Sequence, residues 1–203
     1  MLININPQNP EKRKISKVVE ILRDGGIIAY PTDTFYGIGC DLMHKKSIEN
    51  IYLLKQRDKN QPFSFICSDL KDISQYAKVS TYAYRIMRKL LPGPYTFILE
   101  GSKLVPKIML TKRKTAGIRV PDNAICMALV QELGNPILST SASLPDGTIL
   151  HDPYEINEYF KNRIDIVIDS GHVTGQPSSV ISLIGDTPEV LRIGLGDVSM
   201  FTS

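Results

Sequence analysis

Cysteine is scarce in this chain: three in 203 residues, at Cys40, Cys67 and Cys126, with no Cys-x-x-Cys spacing. An odd, scattered set gives neither a zinc ligand quartet nor a disulfide framework, and it fits a reducing cytoplasm. Histidine is equally sparse. His44, His151 and His172 form no His-x-x-x-His pair, so no metal site is expected from them. There is no Gly-x-Ser-x-Gly elbow and no evident base beside a serine or cysteine, which argues against covalent catalysis. A P-loop is missing, and Gly37-Ile38-Gly39 lacks the third glycine of a dinucleotide fingerprint. No run of 18 apolar residues occurs, and the opening MLININPQNPEKRK has no apolar signal core, so a soluble cytoplasmic protein without membrane contact is expected.

What is present is ordinary in bulk. With 42% hydrophobic and 22% charged residues the composition is that of a folded globular protein, and one domain over 1–203 can bury a core without staples. The net charge of +3 is too small to mark a dedicated nucleic-acid binder. Local basic clusters at Lys12-Arg13-Lys14, Arg85 with Arg88-Lys89, and Lys112-Arg113-Lys114 are either solvated faces or sites for anions.

Periodicity predicts helices over about 10–24, 45–55, 69–76, 81–91, 123–133 and 152–160, the first from Ile15, Val18, Val19 and Leu22 on one face. Between them, apolar runs at 26–30, 63–67, 95–100, 116–120, 137–140, 164–169, 179–184 and 189–193 read as strands. Such alternation implies a layered α/β domain whose ligand residues follow the strands.

Several strand ends are rich in chemistry. Tyr30-Pro31-Thr32-Asp33-Thr34-Phe35-Tyr36-Gly37-Ile38-Gly39-Cys40 leaves a buried run and is either a Ser/Thr turn or a ligand rim. Lys55 and Arg57 are two apart at a helix end, so they grip one polyphosphate only if the helix unwinds there; otherwise they form a solvated terminus. Arg119 either caps a structural carboxylate or forks onto a bound carboxylate or phosphate. Ser139-Thr140-Ser141-Ala142-Ser143, Ser178-Ser179 and Arg192 add hydroxyls and a further cation.

Taken in order, the 30–40 stretch, Lys55-Gln56-Arg57, Leu91-Pro92-Gly93-Pro94-Tyr95-Thr96, Gly117-Ile118-Arg119-Val120-Pro121, Ser139-Thr140-Ser141-Ala142-Ser143, Pro177-Ser178-Ser179-Val180 and Leu191-Arg192-Ile193-Gly194 resemble the successive motifs of the YrdC/YciO family. The whole run most resembles the YciO branch. That resemblance implies a twisted mixed sheet of about seven strands around a basic cavity. It also implies an activity: joining L-threonine, bicarbonate and ATP into threonylcarbamoyl-adenylate with release of pyrophosphate, for tRNA modification. By the same resemblance Lys55 and Arg57 are catalytic; Thr32, Thr115 and Arg119 hold threonine; and Arg57, Gln61, Ser141, Ser143, Ser178 and Arg192 hold the nucleotide. ATP arrives with Mg²⁺ as substrate, and no tightly bound cofactor is implied. Departures from the family pattern are Ile66 in place of a histidine, Ser143 in place of an asparagine, and Pro177 in place of a glutamate. They weaken the threonine half of the pocket, and they motivate an alternative, a non-catalytic protein binding nucleotide or double-stranded RNA.

Overall fold

The computed structural model describes residues 1–185 and 187–201. Of the domain expected over 1–203, residues 186, 202 and 203 lie outside the described residues. In chain order the elements are β1 (Leu2–Asn4), α1 (Lys12–Arg23), β2 (Ile28–Tyr30), β3 (Gly37–Gly39), α2 (Lys45–Leu54), β4 (Ser64–Ile66), α3 (Leu70–Tyr76) and β5 (Ala77–Lys78). They continue with α4 (Thr81–Leu90), β6 (Tyr95–Gly101), β7 (Thr115–Arg119), α5 (Ala124–Leu133), β8 (Ile137–Ser141), α6 (Pro153–Tyr159), β9 (Ile166–Asp169), β10 (Ser179–Ser182) and β11 (Glu189–Arg192).

Local chemistry sets the helix limits. Asp69, Ser80, Asn123 and Asp152 each cap a helix by accepting a backbone N–H in its first turn. Gly134 ends α5 in the left-handed region at φ 78°, which a residue without Cβ adopts freely.

Among the described residues the strands join one mixed sheet in the order β1-β9-β2-β3-β8-β4-β7-β6-β10-β11, with β5 paired to β6, giving 11 strands rather than about seven. The unanticipated strands are β1, β3 and β5, of two or three residues each. They are too short to carry an alternating pattern, and β3 is Gly-Ile-Gly.

Cross-strand partners point to the same side of a pleated sheet, so the register assigns the faces. Ala29 pairs with Ile38, Phe65 with both Leu138 and Ile118, and Phe97 with both Ile118 and Ile181. These side chains form the larger core with Ile48 and Ile51 of α2, Ile73 of α3, and Ile86 and Met87 of α4. On the opposite face Ile28, Tyr30, Ile66, Ile137, Ile166 and Ile168 are buried with α1 and α5, which pack on each other. Those two helices shield only part of that face. Farther along, the same row of positions holds Ser64, Ser139, Ser141, Gly117, Thr96 and Ile98, and these line a cavity. Among the described residues no helix is long and apolar enough to cross a membrane.

Candidate active site

The cavity is about 660 Å³, with the uncovered half of the sheet as its floor. That is room for a nucleotide with a small second ligand. Its walls come from the segment after β2, the segment after α2, the loop before β7, and the chain flanking β10 and β11.

The Lys-x-Arg segment unwinds as its grip requires. Helix α2 stops at Leu54, and the N–H groups of Gln56 and Arg57 turn back to the carbonyls of Leu53 and Tyr52 at 3.1 Å each. This is a Schellman closure with Gln56 in the left-handed region at φ 48°. A side chain there is strained, so Gln56→Gly is expected to raise stability by about 0.5–1 kcal/mol, checked by the urea midpoint.

The turn sends its two cations to different places. Arg57 lines the cavity, its guanidinium lying 4.6 Å above the Phe63 ring while Nε donates to the Gln61 carbonyl at 2.8 Å. Lys55 does not line it: Nζ donates to the Ser143 carbonyl at 2.6 Å, the Ser143 hydroxyl at 2.8 Å and the Ser141 carbonyl at 3.2 Å. All three ammonium protons are thereby committed, and Lys55 holds the Ser141–Ser143 segment rather than an open space for phosphate. Ser143 is correspondingly withdrawn from the cavity. Gln61 is too: its carbonyl steadies Arg57, and its exposed side chain lies outside the lining.

Partial burial, with Arg57 nearby, pulls the Lys55 pKa down to about 8. Below that pH both folded and unfolded chains carry the charge and the burial penalty is present in full. Above it the folded chain sheds the proton while the unfolded chain keeps it to about 10.4. Urea titrations from pH 7 to 10 are therefore expected to show wild type gaining stability relative to Lys55→Arg, whose charge persists throughout.

Thr32 lines the cavity beside these groups, with its hydroxyl engaged in its own turn. Its hydroxyl donates to the Phe35 carbonyl at 2.6 Å and accepts the N–H groups of Thr34 and Phe35 at 3.1 and 3.2 Å. The group closes its own turn and has no proton left for a ligand. What the turn delivers is Thr34 and Asp33. Arg119 Nη2 donates to Asp33 Oδ1 at 2.7 Å and to Thr34 Oγ1 at 3.1 Å, so the guanidinium both caps a carboxylate and lines the cavity. Burial pushes the Asp33 carboxyl up, and the Arg119 charge opposes that shift. Among the described residues Arg119 Nε is enclosed without a hydrogen-bond partner.

The remaining expected residues meet here. Arg192 Nη2 and Nε donate to the Ser178 carbonyl at 2.8 and 3.1 Å, and the Ser178 and Thr96 hydroxyls are 2.8 Å apart. The Thr115 hydroxyl is 2.7 Å from that of Thr111. Burial and the neighbouring Arg119 charge lower the Arg192 pKa, a sign that the two guanidiniums share one field. Ile66 does not face the ligand space; it is buried in the apolar cluster under α5.

Sequence reasoning passed over Thr96, Thr111 and Ser64 as site residues. Thr96 was findable, as the polar residue between Tyr95 and Phe97. Thr111 sits in an irregular loop with no periodic signal.

Residues 20–194 match the Sua5/YciO/YrdC family model, described as telomere recombination. The chain belongs to the Sua5/YciO/YrdC family. Within the family it is 44% identical over 199 residues to the uncharacterized protein YciO of Escherichia coli, covering 97% of each chain. The crystal structure of E. coli YciO is similar over 99% of this chain and 98% of its own, with a TM-score of 0.93. A threonylcarbamoyl-AMP synthase from Pyrococcus abyssi is 27% identical over 196 residues, 96% of this chain and 57% of that one. The crystal structure of P. abyssi Sua5 complexed with L-threonine gives a TM-score of 0.89 over the same shares.

Proposed function

We propose that this chain catalyses adenylyl transfer of the threonylcarbamoyl-adenylate type, from L-threonine, bicarbonate and ATP, with pyrophosphate as leaving group. The observation that carries this reading is the convergence of Arg57, Arg119 and Arg192 on one hydroxyl-lined cavity. Attack of a threonine carbamate oxygen on the α-phosphate needs alignment and neutralisation of developing charge, and no protein nucleophile. Arg57 and Arg192 would meet the polyphosphate, Ser141 and Ser178 the nucleotide, and Arg119 and Thr115 the amino acid. Mg²⁺ would arrive on ATP. Lys55 would act by holding the Ser141–Ser143 segment. The product would serve tRNA modification in the cytoplasm.

The test is pyrophosphate release by the purified protein with ATP and Mg²⁺. Release that depends on L-threonine and bicarbonate together upholds the reading; equal release without either one overturns it. A second reading, a non-catalytic protein for nucleotide or double-stranded RNA, is favoured by Ser143, whose hydroxyl is held by Lys55. It predicts ATP binding with no turnover, or RNA binding that weakens steeply with salt.

A further inference from the structure

We infer that Asp33 is a positioning residue that braces the Arg119 guanidinium and so governs affinity for an amino-acid carboxylate at this site. The inference rests on the reading of Arg119 as the group that meets that carboxylate.

Both oxygens of Asp33 are tied down. Oδ1 accepts from Arg119 Nη2 at 2.7 Å, and Oδ2 accepts the backbone N–H of Asp122 at 3.1 Å. The pair is buried, with side-chain exposures of 10% for Arg119 and 8% for Asp33. Asp33 is not on the cavity wall, so an incoming anion can meet Arg119 from the cavity without displacing Asp33. It stands behind Arg119, joining the turn after β2 to the chain just past Pro121.

Two consequences follow for the guanidinium. Its planar fork is fixed through Nη2, which Thr34 also engages at 3.1 Å, so rotation about the guanidinium plane is blocked. Nη1 is then the nitrogen left for a ligand, while Nε, which shares an edge with Nη2, is enclosed and has an unmet hydrogen bond among the described residues. Asp33 also supplies Arg119 with a partly buried countercharge. Arg192 lines the same cavity, so Asp33 offsets like charge on the side of Arg119 away from it.

Asp33→Asn keeps the shape and an acceptor for the Asp122 amide but removes the charge. Titration calorimetry is expected to show L-threonine affinity weakened about 10-fold, while affinity for pyrophosphate, which meets Arg57 and Arg192, changes less than about 2-fold. Alongside it, arginine Nε–Hε NMR signals, with Arg119 assigned through Arg119→Lys, are expected to show the Arg119 resonance moving to a solvent-like position in Asp33→Asn. Unchanged threonine affinity together with an unmoved Arg119 signal overturns the inference. A moved signal in a protein whose wild type binds no threonine upholds the brace and overturns the carboxylate assignment instead. Should Asp33→Asn not fold, Thr34→Val removes only the hydroxyl engaging the same Nη2. It is expected to weaken threonine binding about 3-fold with pyrophosphate unaffected, and equal threonine affinity would count against the brace.

Discussion

Gly39→Ala is expected to destabilise the protein by about 3 kcal/mol or more, read as a fall in the urea midpoint at unchanged slope. A Cβ at this position would lie 2.1 Å from the Leu138 carbonyl oxygen, 2.8 Å from Ile137 Cγ2 and 3.0 Å from the Tyr30 ring. The first of these is backbone of the adjacent strand β8, which also pairs with β4, and it cannot yield without shifting the register on both sides. Overpacking a core ordinarily costs about 1–3 kcal/mol when side chains give way. Here a main-chain oxygen stands in the way, so the cost belongs at or above the top of that range. A loss below about 1 kcal/mol would mean that β3 and β8 tolerate a wider spacing than their pairing implies.

Arg57→Ala is expected to lower threonine- and bicarbonate-dependent pyrophosphate release by about 100-fold or more, with little change in stability. The stability side is modest because the contact over Phe63 is worth about 0.5–1 kcal/mol at a partly exposed site. The activity side is large because the guanidinium is held in place before any ligand arrives, by Phe63 beneath it and by the carbonyls of Gln61 and Pro62. A cation that need not reorganise stabilises transition-state charge most effectively. Arg57→Lys is expected to recover little, since an ammonium reproduces neither the flat contact nor the fork toward two carbonyls. Wild-type rates in Arg57→Ala, at saturating ATP, would remove Arg57 from the chemistry.

The architecture was legible because its long elements carry strong periodic signals. Ile15, Val18, Val19 and Leu22 define α1, and the run 95–100 falls within β6. The short strands were not legible, since β5 is two residues and its pairing with β6 is decided by tertiary packing. At the site, Arg57, Arg119 and Arg192 all line the cavity, and it was the family resemblance that singled them out, since a cation at a strand or helix end serves equally as a solvated terminus or a carboxylate cap. Thr32 also lines the cavity, but its hydroxyl is spent on its own turn: a threonine beside a strand offers the same atoms to a ligand or to that turn, and only backbone geometry decides between them. The same ambiguity hid Asp33, whose partner Arg119 lies 86 residues away, and misplaced Lys55, whose acceptors are carbonyls that every residue possesses.

Because the floor of the cavity is paired strand and not loop, its small side chains are set by the pleat and touch one another: a Cβ on Gly117 would lie 3.2 Å from Thr96 Cγ2 and 3.4 Å from Ser64 Cβ. Thr96 in turn reaches the Ser178 hydroxyl, which accepts from Arg192. A replacement on the floor therefore carries through to a guanidinium on the wall, and reshaping this pocket calls for matched changes at neighbouring positions.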